Sequence, residues 1–108
     1  MKFKNLVEVM DERLIIRVNS AKKDKTLGRY VPDGKLNMET QEFESMKDSE
    51  FSDPNVFSVA DFKHSKIYRK KLADADLVTW SITRIKNFEN FKNTEYKGRI
   101  VMITIVSL

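Results

Sequence analysis

At 108 residues, with 41% hydrophobic and 33% charged side chains, the chain has room for one compact domain with a core and not for two. Its 20 Lys and Arg against 16 Asp and Glu give a formal net charge of +4, which permits an anionic partner without requiring one. Zero cysteines exclude disulfides, thiolate metal sites and cysteine nucleophiles, and a single histidine leaves little for metal or acid–base chemistry, so neither a metal nor a cofactor is expected.

Met1 and Lys2 precede apolar residues, but Glu8, Asp11 and Glu12 interrupt them before they form the core of an export signal. The longest nearly apolar run, Ile100 to Val106, is far below the roughly 18 residues that span a bilayer. These features and the missing cysteines together point to a cytoplasmic protein without a membrane partner. The first strand signal is Arg13-Leu14-Ile15-Ile16-Arg17-Val18, β-branched and bounded by Asp11-Glu12 and Asn19-Ser20. Tyr30-Val31-Pro32-Asp33-Gly34-Lys35 then places Pro early and Gly late, as a tight hairpin turn requires.

Charge divides the chain into blocks. Residues 1–37 carry nine basic and five acidic side chains, 38–61 one and seven, and 62–108 ten and four. The acidic block holds Glu39, Glu42, Glu44, Asp48, Glu50, Asp53 and Asp61, with Ser and Asp clustered around Lys47 to Pro54, and reads as a solvated loop at about 38–56 within a single domain covering 1–108. At its end, Asp53-Pro54 and Ser58-Val59-Ala60-Asp61 are two candidate helix starts, predicting one short helix between about 54 and 64. Phe62, Ile67 and Leu72 scatter at 100° per residue, so Phe62 to Leu72 is expected as loop plus short strand.

Leu77 to Ile85 alternates Val78, Trp80 and Ile82 with Thr79, Ser81 and Thr83, predicting a strand with one apolar face and one ladder of hydroxyls; Trp80 is expected in the core rather than as a stacking platform. Asn87 to Phe91 offers one helical turn or a loop. Arg99 to Val106 is apolar on both alternating sets, which predicts a central strand covered twice. The sum is an α+β, mainly β domain: a small mixed or antiparallel sheet curled into a barrel, with one or two short helices.

No enzyme motif emerges. His64 lies among lysines and reads as a surface imidazole, and Glu42 with Glu44 or Asp74 with Asp76 lack a third ligand and read as charged turns. Gly28, Gly34 and Gly98 stand too far apart for a phosphate loop. The strongest concentration of chemistry is Lys63, Lys66, Tyr68, Arg69, Lys70 and Lys71, five cations in nine residues around a tyrosine, with Arg84 and Lys86 later in the chain. Cations reward phosphate through counterion release and Tyr68 could stack on an unpaired base, so RNA is the expected partner of a non-enzymatic regulatory protein. The alternative is a protein–protein interaction module, in which the acidic segment docks on a basic partner or on a second copy.

The opening Lys2-Phe3-Lys4-Asn5, the Arg13 to Asn19 strand, the Tyr30-Val31-Pro32-Asp33-Gly34 turn and the Lys97-Gly98-Arg99 lead into the last strand resemble, in layout across nearly the whole chain, the PrgU-like small proteins of enterococcal conjugative plasmids. The resemblance implies a PUA-like fold and a role in restraining pheromone-induced surface adhesins. It carries no set of functional residues.

Overall fold

The computed structural model describes residues 1–46, 55–84 and 99–106. In chain order these form helix α1 (Phe3–Val7), strands β1 (Ile15–Asp24), β2 (Arg29–Asn37), β3 (Glu42–Ser45) and β4 (Phe57–Ser58), helix α2 (Val59–Lys63), a π-helix (Tyr68–Leu72), and strands β5 (Leu77–Arg84) and β6 (Arg99–Val106). The architecture is mainly β, a mixed sheet in the order β3-β2-β1-β6-β5, with β4 paired to the first residues of β1. β1 and β6 are parallel and the other pairs antiparallel. The expected barrel does not form: the path runs open from β3 to β5, and these two strands do not pair with each other among the described residues.

β1 starts where its β-branched run begins but continues through Asn19-Ser20 to Asp24, because β2 and β6 supply partners along that length. The turn after it lies earlier than Pro32 and Gly34 predict. Asp24 accepts the N–H groups of Thr26 and Leu27 at its side-chain Oδ1 (2.8 and 3.0 Å) and that of Gly28 at its carbonyl (2.8 Å), and Gly28 supplies the positive φ of 68°. Pro32-Asp33-Gly34 instead lies inside β2. Ser20 pairs with Gly34 and Ala21 with Pro32, so Asp33 is the extra residue of a bulge, where a proline is tolerated. Ser20 Oγ donates to Asp33 Oδ1 at 2.9 Å and closes that bulge.

One face of the sheet carries the core. Ile16 and Val18 of β1, Leu36 of β2, and Val101, Ile103 and Ile105 of β6 pack with Phe3 and Val7 of α1, Val59 and Phe62 of α2, and Ile67, Tyr68 and Leu72 in and beside the π-helix. Fully burying each such side chain contributes about 1.5–3 kcal/mol, so this face dominates the stability. β6 is central, between β1 and β5, with Ile100 buried on the opposite face, while Met102 and Val106 there are half-buried. That opposite face is polar across β1 and β2, where Arg17, Asn19, Lys35 and Asn37 are buried beside Thr104 of β6.

α2 falls where Ser58 predicts: its hydroxyl accepts the N–H of Asp61 at 3.1 Å, capping the helix. The other candidate cap, Asp53-Pro54, and the turn proposed at Asn87 to Phe91 lie outside the described residues. The acidic block is not all loop, since Glu42 and Glu44 stand on β3, which pairs with Gly34–Asn37. Phe62 to Leu72 is helical rather than strand-like. The chain breaks after α2 at Ser65, whose hydroxyl donates to the Phe62 carbonyl (2.6 Å) and accepts the N–H of Tyr68 (3.3 Å), and the helical phase restarts there. A single 100° phase across Phe62, Ile67 and Leu72 therefore misses that all three are buried.

Candidate nucleic-acid interface

The π-helix is held at both ends. At its start, Gln41 Oε1 accepts the N–H of Ile67 at 3.1 Å from the turn joining β2 to β3. At its finish, Ala73 N–H donates to Tyr68 O at 2.9 Å, the five-residue closure that widens the turn. α1 then clips onto the exit through Phe3 N–H to Ala75 O (2.8 Å), Lys4 N–H to Ala73 O (3.0 Å) and the ion pairs Lys4–Asp74 (3.1 Å) and Lys2–Asp76 (3.0 Å). The Lys2 ammonium, donating to the Asp76 carboxylate and charged beside it, holds that carboxyl below its ordinary range.

With its ends fixed, the segment buries Ile67, Tyr68 and Leu72 and turns Lys66, Arg69, Lys70 and Lys71 to solvent. Lys66, Lys70 and Lys71, with Gln41 and Ile67, line an open recess of about 180 Å³. None of these cations, nor Arg69, pairs with a carboxylate among the described residues. Lys66 stands three residues before Arg69 and four before Lys70, spacings at which like charges on a helix repel by a few tenths of a kcal/mol.

Gln41 is the residue the sequence did not flag. It has a positive φ of 56°, a conformation that costs a non-glycine residue about 1 kcal/mol or more and is retained where surroundings over-determine it. Here the surroundings are its own N–H to Asn37 O (2.7 Å) and the side-chain bond to Ile67. The readable signal was Asn37, whose Oδ1 accepts the N–H of Glu39 (2.8 Å) and shapes the turn that carries Gln41.

The other expected site residues distribute unevenly. Lys63 belongs to a different patch, its ammonium 3.6 Å from Glu12. Tyr68 does not present its ring for stacking: it is 5% exposed and packs on Phe62 (centroids 4.7 Å apart) and edge-on to Phe3 (5.8 Å). Its position follows from the restart at Ser65, which turns Tyr68 inward with Leu72. Burial, and after it the charge of Glu8, raises the Tyr68 phenol above its ordinary value. Arg84 is exposed at the far end of β5, three strand positions from β2 and so about 14 Å from the Gln41 side of the sheet at roughly 4.8 Å per strand. Lys86 lies outside the described residues.

β5 also departs from expectation. Val78, Trp80 and Ile82 are 37%, 51% and 60% exposed, so Trp80 is not a core residue. Trp80 pairs with Ile103 and Ile82 with Val101, which places them on the core face, beyond the reach of the helices that bury β6. Among the described residues no helix is long and apolar enough to cross a membrane, and no group of His, Asp or Glu is arranged to hold a metal ion. Comparison of the chain with family models, with curated proteins and with solved structures finds no match.

Proposed function

We propose that the protein is a non-enzymatic RNA-binding regulator acting in the cytoplasm, with Lys66, Arg69, Lys70 and Lys71 as its phosphate-contacting residues. The observation that carries this reading is the crowding of four exposed cations, without carboxylate partners among the described residues, within the six residues 66–71, three of them lining a recess. Lys2, Lys4, Arg13, Lys22 and Lys63 each have an acidic neighbour within 4 Å, whereas this segment sets four cations close together in sequence with none among the described residues. Polyphosphate backbones suit such a cluster because each neutralised phosphate releases condensed counterions. The resemblance in layout to PrgU-like proteins implies a PUA-like fold, and on that resemblance we propose a role in restraining plasmid-encoded surface proteins.

The test is a filter-binding salt series on the parent and on a triple variant, Lys66→Gln, Lys70→Gln and Lys71→Gln. The parent should bind RNA at low salt with affinity that falls steeply as salt rises. The variant should melt like the parent, since exposed charges change stability by about 0.5 kcal/mol or less each, while its log–log salt slope drops by about 0.7–0.9 for each phosphate that is no longer neutralised. A parent without RNA affinity at low salt, or a variant with full affinity and full slope, refutes the assignment.

A further inference from the structure

We infer that the end of the core face that no described helix covers, formed by β5 and the start of β6, is a second subsite that takes unpaired nucleotides, with Trp80 stacking on a base, Ile82 packing against it and Arg84 and Arg99 together holding a phosphate. The inference rests on the RNA-binding reading and deepens it, because it specifies single-stranded rather than duplex RNA.

Register places these four side chains together. From Thr79 to Arg84 the pairing of β5 with β6 is continuous, so Trp80, Ile82 and Arg84 share one face with Ile103, Val101 and Arg99. Arg84 is directly opposite Arg99, and both are exposed. Like charges directly opposite each other across a ladder destabilise it. Neither arginine has a carboxylate partner among the described residues, so the pair presents two guanidinium groups to an anion. Along β5 the stripe from Trp80 to Arg84 runs about 13 Å at roughly 3.3 Å per residue, with Ile82 midway.

The apolar stripe alone would not identify an occupant. Its continuity with the arginine pair does, because the ligand must offer a flat apolar face with negative charge beside it. An unpaired nucleic-acid strand has that chemistry, whereas a duplex hides its base faces inside the stack. The alternating Thr79, Ser81 and Thr83 project from the reverse side of β5, so the stacking side carries no competing polar group between Trp80 and Arg84.

Trp80 is the only tryptophan, so its emission reports this surface alone. The experiment titrates the full chain with a short labelled single-stranded RNA and with the same RNA annealed to its complement, following label anisotropy and tryptophan emission together. Single-stranded RNA should raise anisotropy and quench Trp80, and the duplex should leave the emission unchanged. Trp80→Ala should weaken single-strand binding about tenfold without altering the salt slope, and Trp80→Phe should restore most of it. Replacing Arg84 and Arg99 with Gln should instead lower the slope by about 0.7 for each phosphate released from the pair. If anisotropy rises while Trp80 emission stays constant and Trp80→Ala binds as tightly as the parent, the second subsite is refuted and the recess assignment stands. If neither RNA raises anisotropy, both fail. If Trp80→Ala converts a sedimenting dimer to monomer with RNA affinity unchanged, the stripe joins two copies of the chain and the subsite is refuted.

Discussion

Ile103 and Trp80 are partners in the β5–β6 ladder and project from the same side of the sheet, yet Ile103 is fully buried and Trp80 is half exposed. What separates them is one strand spacing, about 4.8 Å, and the limit of the helical layer. Phe3, Val7, Phe62, Tyr68 and Leu72 extend over β1 and β6, and β5 carries the same apolar alternation past the edge of that cover. Period-two alternation therefore identifies which face a side chain joins, and the layer packed against it decides whether the side chain leaves water.

The most direct way to break this comparison is to truncate both partners. Ile103→Ala removes buried methyl groups from beneath the helices and should cost about 2–5 kcal/mol, a large share of a small domain's stability. Trp80→Ala, on the same face one strand away, should shift stability far less, within roughly 1 kcal/mol. Thermal or denaturant melts of the two variants decide the matter; equal losses would mean that β5 is covered as fully as β6.

The comparison also explains what the sequence made legible. β5 and β6 were readable because their alternation is set by local chemistry, and α2 because Ser58 and Asp61 are a local capping pair. The exposure of Trp80 was not, because it depends on how far helices from distant parts of the chain reach. α1 has no side-chain cap, and its position depends on backbone bonds to Ala73 and Ala75, some seventy residues away in sequence. The π-helix was hidden by the phase reset at Ser65, and with it the inward turn of Tyr68 that removes it from the surface. The cation cluster was legible as composition. Its grouping with Gln41 required the β2–β3 turn to be brought against Ile67, a hydrogen bond spanning 26 residues.

On the other flank of the covered face, Gly34 sharpens the contrast between close packing and open edge. A Cβ there would meet Ser20 Oγ at 2.7 Å and Glu44 O at 3.1 Å, and the second of these is backbone held in the β2–β3 ladder. Gly34→Ala should therefore destabilise by about 1–3 kcal/mol, the range for inserting atoms into a packed site. Its signature in a melt series would be a lowered midpoint, with the loss reduced when Ser20→Gly is added to clear the nearer clash. An unchanged midpoint for Gly34→Ala alone would show that the bulge yields to the extra methyl group.

The smallest effect tests how dry the helical cover is. The Tyr68 hydroxyl is buried without a hydrogen-bond partner among the described residues, while its ring is enclosed by Phe3 and Phe62. Tyr68→Phe keeps the ring and deletes the unpaired polar group, so stability at neutral pH should be unchanged or rise by up to about 1 kcal/mol. The alkaline limb supplies the sign. Burial first, and the charge of Glu8 second, raise the phenol above its ordinary 10.0 in the folded protein. Below pH 10 both folded and unfolded chains keep the proton, and the group adds no pH dependence. As pH rises through 10 the unfolded chain ionises while the folded phenol remains protonated, so the parent loses stability with rising pH. Tyr68→Phe removes that contribution, and the parent-minus-variant difference should be flat up to about pH 10 and then turn against the parent. A difference that stays flat through the alkaline range would mean that the Tyr68 hydroxyl reaches water, and that the cover over β6 is open at the π-helix as it is at β5.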